Sequence, residues 1–208
     1  MTIRVAFLAV IAVLISTACS PMAEQSLEGA ALVDALRHGG YVIVMRHASS
    51  PRELPDAQSA APGNSDRERQ LDETGRETAM SMGAALKRLA IPVGTVLSSP
   101  TFRALETARL LDLAEAEPVT ELGEGGQGMR EDTEGKRSAW LRANAAEPPR
   151  SGTNRLVITH FPNIVGAFGD AAADIGDGES LIIEPEGGEA VVVARVGIEQ
   201  WSELPATE

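Results

Sequence analysis

Apolar runs and amphipathic stretches alternate along this chain. Leu27, Leu32, Val33 and Leu36 recur at helical spacing before Gly39 and Gly40, which predicts a helix capped by Ser26. Residues 41–45 are continuously apolar, the pattern of a strand covered on both faces. Residues 51–68 are rich in Pro, Ala, Ser, Asp and Gly and read as a long loop, a kind of segment that is often functional. Asp72 is placed to cap a helix carrying Ala79, Met82, Leu86 and Leu89, which Ile91 and Pro92 close. A second strand is expected at 95–98. Ser99 and Pro100 then open a helix that runs through Leu105, Ala108 and Leu111, with the proline in its first turn. A short strand at 118–120 and a glycine-rich loop at 123–128 follow. Trp140 and Leu141 fall on a helix, 155–159 on a strand, and a helix starts near Pro162. Two more strands are expected at 181–183 and 190–196. The alternation predicts an α/β fold of three layers, α/β/α, around a mostly parallel central sheet.

Composition narrows this picture. The 208 residues are 43% hydrophobic and 23% charged, enough for one domain with a real core. Aromatic residues are only 3%, so the core rests on aliphatic side chains. A net charge of −12 excludes the basic face that nucleic acid or anionic lipid would need. It does not exclude an anionic substrate, provided a few arginines converge locally.

The first residues read as something other than fold. Arg4 precedes an apolar stretch at 5–15, too short to span a bilayer, and Ser16, Thr17 and Ala18 lead to Cys19, the only cysteine. The segment resembles a bacterial lipoprotein signal, with 1–19 ending at the lipidation cysteine, 20–25 as a tether and 26–208 as the folded domain. A plain secreted signal, or a buried thiol at Cys19, are the alternatives. The expected location is the cell envelope or periplasm, with the membrane as a partner through Cys19.

Three expected strands end in polar residues: Arg46-His47, Ser98-Ser99 and His160. Ligand sites of open α/β sheets form at such carboxyl ends. The third histidine, His38, ends the first helix, where a cation is favoured anyway. "RHASS" (46–50), "RQLDETGRETA" (69–79), "SSPTFRALETA" (98–108) and "LVITHFPN" (156–163) together resemble, in order, the motifs of the histidine phosphatase (phosphoglycerate mutase-like) superfamily. Ala48 and Ser50 stand where that pattern has glycine and threonine, Asp72 where it has a capping Ser or Thr, and Phe161-Pro162 where Gly-Gly is frequent.

A phosphomonoester dianion repels nucleophiles, so catalysis needs cations on its oxygens and an in-line attacker. Arg46 and Arg103 supply guanidinium forks suited to two-point phosphate contacts. The resemblance implies that His47 attacks phosphorus to give a phosphohistidine, and that His160 is a cationic phosphate ligand. Neither metal nor cofactor is called for. Arg69 either borders the phosphate or caps its own loop. Ser50 and Asn163 are candidate neutral donors to phosphate, or structural. For the acid that protonates the leaving group, with a pKa raised by its site, the mutase-type spacing Leu122, Glu124, Gly128 favours Glu124 over Glu121.

The implied activity is hydrolysis of an extracytoplasmic small-molecule or envelope-sugar phosphate. A phosphoglycerate mutase-type phosphotransferase and a non-catalytic phosphate or phosphosugar-binding lipoprotein are the rival readings.

Overall fold

A computed structural model describes residues 26–125 and 135–206. Cys19 and Gly128 lie outside the described residues. Leu32, Val33 and Leu36 form the buried side of helix α1 (Gly29–His38). Glu28, not Ser26, holds its N-cap position, and no side chain caps it. The backbone explains the shift. Leu27 N–H donates to Val193 O at 2.8 Å, so the chain joins the sheet before the helix can begin.

Strand β1 (Val42–Arg46) comes next, then a long connection without helix or strand. Helix α2 (Glu73–Arg88) opens on Asp72, whose Oδ1 accepts from Gly75 N at 2.7 Å. Strand β2 (Val93–Ser98) leads to α3 (Phe102–Leu111). Pro100 lies ahead of that helix rather than in its first turn, because Thr101 is the N-cap and Glu68 Oε2 accepts the first helical N–H, from Phe102, at 2.9 Å. The edge strand β3 (Ala116–Pro118) ends where a strand at 118–120 was expected to begin. Residues 120–122 instead wind into a 3-10 turn once Val119 N–H has bonded Ser98 O. The remaining elements are α4 (Lys136–Ala145), β4 (Asn154–Thr159), α5 (Phe161–Phe168), β5 (Ser180–Glu186), β6 (Glu189–Val196) and α6 (Gln200–Glu203).

The sheet order is β3-β2-β4-β1-β5-β6. The pairs β3–β2, β2–β4 and β4–β1 are parallel, and β5 runs antiparallel to both β1 and β6. Strict alternation sends Ile43, Met45, Leu156, Ile158 and Ile182 to one face, where they pack with residues of α1, α2, α3 and α6. Val42, Val44, Val157, Leu181 and Ile183 face α4 and α5 on the other. This is the three-layer arrangement, with five of the six strands pointing one way. Because β4 lies between β2 and β1, the three polar strand ends read from the sequence become neighbours.

Among the described residues no helix is long and apolar enough to cross a membrane.

Candidate active site

His47 directly follows β1, and its backbone is gripped from two sides. Its N–H donates to Thr159 O at 3.0 Å, and its carbonyl accepts from Gly178 N. The ring is 3% exposed. Nδ1 lies 2.8 Å from Ala48 O, an atom that can only accept, so the proton is on Nδ1 and the lone pair is on Nε2. Arg103 Nε donates to that lone pair at 3.2 Å. Burial first, then the charges of His160, Arg103 and Arg46, push His47 down to about 3 against the Ala48 hydrogen bond. The ring is therefore a neutral base with its free nitrogen turned towards the arginine.

Arg103, on the first turn of α3, is 1% exposed. Thr107, one turn on, accepts from Ala48 N through Oγ1 at 3.2 Å and donates to Arg103 O at 2.8 Å, tying α3 to the nucleophile loop. His160 is the N-cap residue of α5 and is fully buried. Its Nε2 is 2.8 Å from Ser99 Oγ, which fixes the ring against the end of β2. The two histidine rings meet edge to face with centroids 5.2 Å apart. α3 and α5 both begin here, and the positive ends of their dipoles favour an anion, although Glu68 already takes the first N–H of α3.

Glu124 already occupies that anion position. Oε1 is 3.1 Å from Arg103 Nη2 and Oε2 is 3.0 Å from His160 Nδ1, so Nδ1 carries the proton and Nε2 accepts from Ser99. Burial raises the Glu124 pKa, but the His160 hydrogen bond and the electrostatic attraction of His160 and of the Arg103 guanidinium outweigh it and hold the carboxyl at about 2. The acid expected to be raised by its site is thus ionised here, because the groups meant for phosphate stabilise it. Burial likewise lowers His160, more than the Glu124 contact raises it, so the expected cationic ligand is neutral before phosphate arrives. Glu121, the other carboxyl considered, is exposed and does not line the cavity.

Arg46 lines the same cavity from the end of β1. Its Nη1 donates to Ile175 O at 3.0 Å and its Nη2 pairs with Asp177 at 2.7 Å. Its Nε is buried and has no hydrogen-bond partner among the described residues. The loop that holds Asp177 is itself anchored: Glu179 O accepts from Arg46 N, and Arg195 pairs with Glu179 and Asp174. Arg69 does both things proposed for it. It donates to Pro51 O at 2.8 Å and Ser50 O at 2.9 Å, and it also lines the cavity.

Ser50 and Asn163 do not line the cavity. Ser50 Oγ donates to Gln70 O at 2.9 Å. Asn163 Nδ2 is bonded to Gly123 O at 2.7 Å and to Leu122 O at 3.2 Å. Both side chains are thus engaged by backbone carbonyls, and Asn163 holds the backbone from which Glu124 projects. Two features of the site, one lining the cavity and one pairing with Arg46, were not found from the sequence. Arg52 was passed over inside the long loop, although its position next to "RHASSP" was a signal. Asp177 had none, lying in a loop of the β4–β5 connection that only folding brings to Arg46.

The whole cavity, lined by Arg46, His47, Arg52, Arg69, Glu124 and Phe161, measures about 510 Å³. The cradle of Arg103, His160, Arg46 and two helix N-termini around a neutral imidazole can bind a phosphoryl group and attack it.

A sequence model described as the histidine phosphatase superfamily (branch 1) matches residues 42–163. No curated protein sequence matches significantly. Among solved structures, the chain resembles the protein histidine phosphatase SixA complexed with tungstate, at TM-score 0.55 and 23% identity over 77% of this chain and 98% of that one. A putative phosphohistidine phosphatase SixA from Agrobacterium tumefaciens gives 0.51 and 19%, over 76% and 98%. A phosphoserine phosphatase variant from Entamoeba histolytica in complex with phosphoserine gives 0.53 and 14%, over 76% and 98%. At these identities the likeness is one of fold.

Proposed function

The chain belongs to the histidine phosphatase superfamily, and from that premise we propose that it is a phosphomonoesterase working through a phosphohistidine at His47. The observation that carries the reading is the state of the nucleophile: Nδ1–H held by Ala48 O, and the Nε2 lone pair hydrogen-bonded by Arg103 Nε, a donor that the phosphoryl oxygens would draw off as the lone pair turns to phosphorus. The phosphoryl group displaces Glu124 from Arg103 and His160 and takes the Arg46 Nε–H as well. Its dianionic charge then removes the preference of Glu124 for the ionised form, and the carboxyl takes up a proton. The Nε2 lone pair forms the N–P bond as the P–O bond to the leaving group breaks, and the leaving oxygen takes the proton from Glu124. Water then attacks phosphorus, the N–P bond returns its electrons to Nε2, and Glu124 accepts the proton of the water.

The substrate in this reading is an extracytoplasmic phosphomonoester, such as a small molecule or an envelope sugar. The support is the sequence at 1–19, and a Cys19→Ser change should shift the protein from the membrane fraction to the soluble one. Hydrolysis of p-nitrophenyl phosphate tests the chemistry, with His47→Ala as control. Turnover with an acid-labile phosphoenzyme in wild type, and neither in the variant, supports the enzyme. Tight phosphate binding without turnover at any pH would leave the phosphate-binding lipoprotein reading in its place.

A further inference from the structure

We propose that Arg52 and Arg69 form a second anion subsite, so that the preferred substrate carries an additional anionic group on its leaving portion. This rests on the phosphatase reading for the meaning of "leaving portion", but the subsite itself is a matter of charge and geometry. The phosphoryl cradle consists of Arg103, His160, His47 and Arg46, and its two arginines each face a carboxylate: Glu124 for Arg103 and Asp177 for Arg46. Arg52 and Arg69 differ. Among the described residues neither has a carboxylate within ion-pair distance, although Asp and Glu outnumber Lys and Arg by 30 to 18 in the chain. Two guanidinium groups without an ion-paired carboxylate among the described residues, facing one cavity of an acidic protein, raise the positive potential there, although Arg69 also acts at longer range on Asp177 and Glu124 lines the same cavity.

Arg69 is also held in place, and the exposed Arg52 side chain extends from the backbone that it fixes. Arg69 Nε and Nη2 are fixed by the carbonyls of Pro51 and Ser50, the two residues that precede Arg52, and Ser50 Oγ ties the same segment to Gln70 O. Arg69 thus positions the backbone from which Arg52 extends and keeps Nη1 unused. At about 510 Å³ the cavity is larger than a phosphoryl group needs, and lies in the roughly 300–1,000 Å³ range of pockets that enclose a whole small molecule. Phe161, 38% exposed at the cavity, has Arg46 stacked 5.6 Å from its ring centroid and offers an apolar wall for the carbon skeleton between the two anions.

Three homologous ligands test this with the full-length protein in detergent: propyl phosphate, 3-(phosphonooxy)propanoate and propane-1,3-diyl bisphosphate. The readout is the ratio of kcat/KM between each charged ligand and the neutral one, which cancels a general loss of activity. In wild type at least one charged ligand should be preferred about tenfold or more, as expected for charge-assisted hydrogen bonds, and the two arms tell a carboxylate from a second phosphate. Arg52→Gln should collapse that ratio towards one and Arg52→Lys should restore part of it. A wild-type ratio near one for both charged ligands, or a ratio unchanged in Arg52→Gln, overturns the subsite. If no ligand is turned over, the phosphatase reading fails by itself, and the same ratios of affinity measured by calorimetry still decide the subsite.

Discussion

The Glu124 carboxylate stands on Arg103, 3.1 Å from Nη2, within the group of side chains that the proposed reading assigns to the phosphoryl group. In that reading phosphate binding is an exchange of one anion for another.

Replacing Glu124 by Gln removes the competing charge and the proton donor together, with opposite effects on two measurements. Inhibition by inorganic phosphate should tighten, by roughly tenfold for loss of a charge-assisted contact. Hydrolysis of an alkyl phosphate should slow by about 10²- to 10⁴-fold, the usual worth of general acid catalysis. p-Nitrophenyl phosphate, whose leaving group needs little protonation, should lose much less. Weaker phosphate inhibition in the variant would show that Glu124 does not compete for the cradle.

Stability should fall as the solution is acidified, beginning near the ordinary histidine pKa. His47 titrates at 6.5 when unfolded and about 3 when folded, so between these values the unfolded chain binds more protons. Its contribution is intact above 6.5 and is lost as pH falls towards 3. Glu124 acts in the same direction over a lower window, from 4.5 down to about 2. The limiting slope for His47 is about 1.4 kcal/mol per pH unit. Denaturant unfolding at a series of pH values should show it, and His47→Gln should flatten the curve between about pH 4 and 6. An unchanged slope would mean that His47 is not held neutral.

These electrostatic details separate what the sequence displays from what it hides. The runs around Val44 and Val157 are apolar on both faces, which marks them as strands buried in the sheet, so the polar residues that end them were legible as a site. Asp72 caps α2 because a short acceptor ahead of an amphipathic stretch has one obvious use. The ionisation of Glu124 was not legible, since it depends on the Arg103 guanidinium of α3 and the His160 N–H at the end of β4, which meet only in the fold. Asn163 stayed open between phosphate donor and structural amide for a related reason, because its partners in the fold, Gly123 O and Leu122 O, are some forty residues away.

Gly75 illustrates a packing constraint that bears on chemistry. A methyl at this position would overlap the Ser49 carbonyl oxygen, so α2 can approach the nucleophile loop only through glycine. Gly83, two turns on, meets Leu111 O just as closely, but away from the cavity. Gly75→Ala and Gly83→Ala should each cost about 1–3 kcal/mol by overpacking. Each kcal/mol should lower Tm by roughly 2–4 °C in a chain of this size. Only Gly75→Ala should also raise KM and slow turnover, because Ser49 must move and Ala48 and His47 with it. Equal kinetic damage from both would make the effect one of general loosening.

Asn163→Ala separates positioning from direct contact. The change leaves Gly123 O without its 2.7 Å donor, which should cost about 1–3 kcal/mol as a buried acceptor loses its partner. It also frees the backbone next to Glu124. If Asn163 acts only through that carboxylate, the variant should bind inorganic phosphate more tightly, as Glu124→Gln does. Combining the two changes should then add nothing further, the non-additivity expected of residues in one chain of contacts. Asn163→Asp would keep the side-chain shape but set an acceptor against two carbonyls, and should behave like the alanine. A weaker phosphate affinity in Asn163→Ala, additive with Glu124→Gln, would instead mean that the amide reaches the phosphate itself.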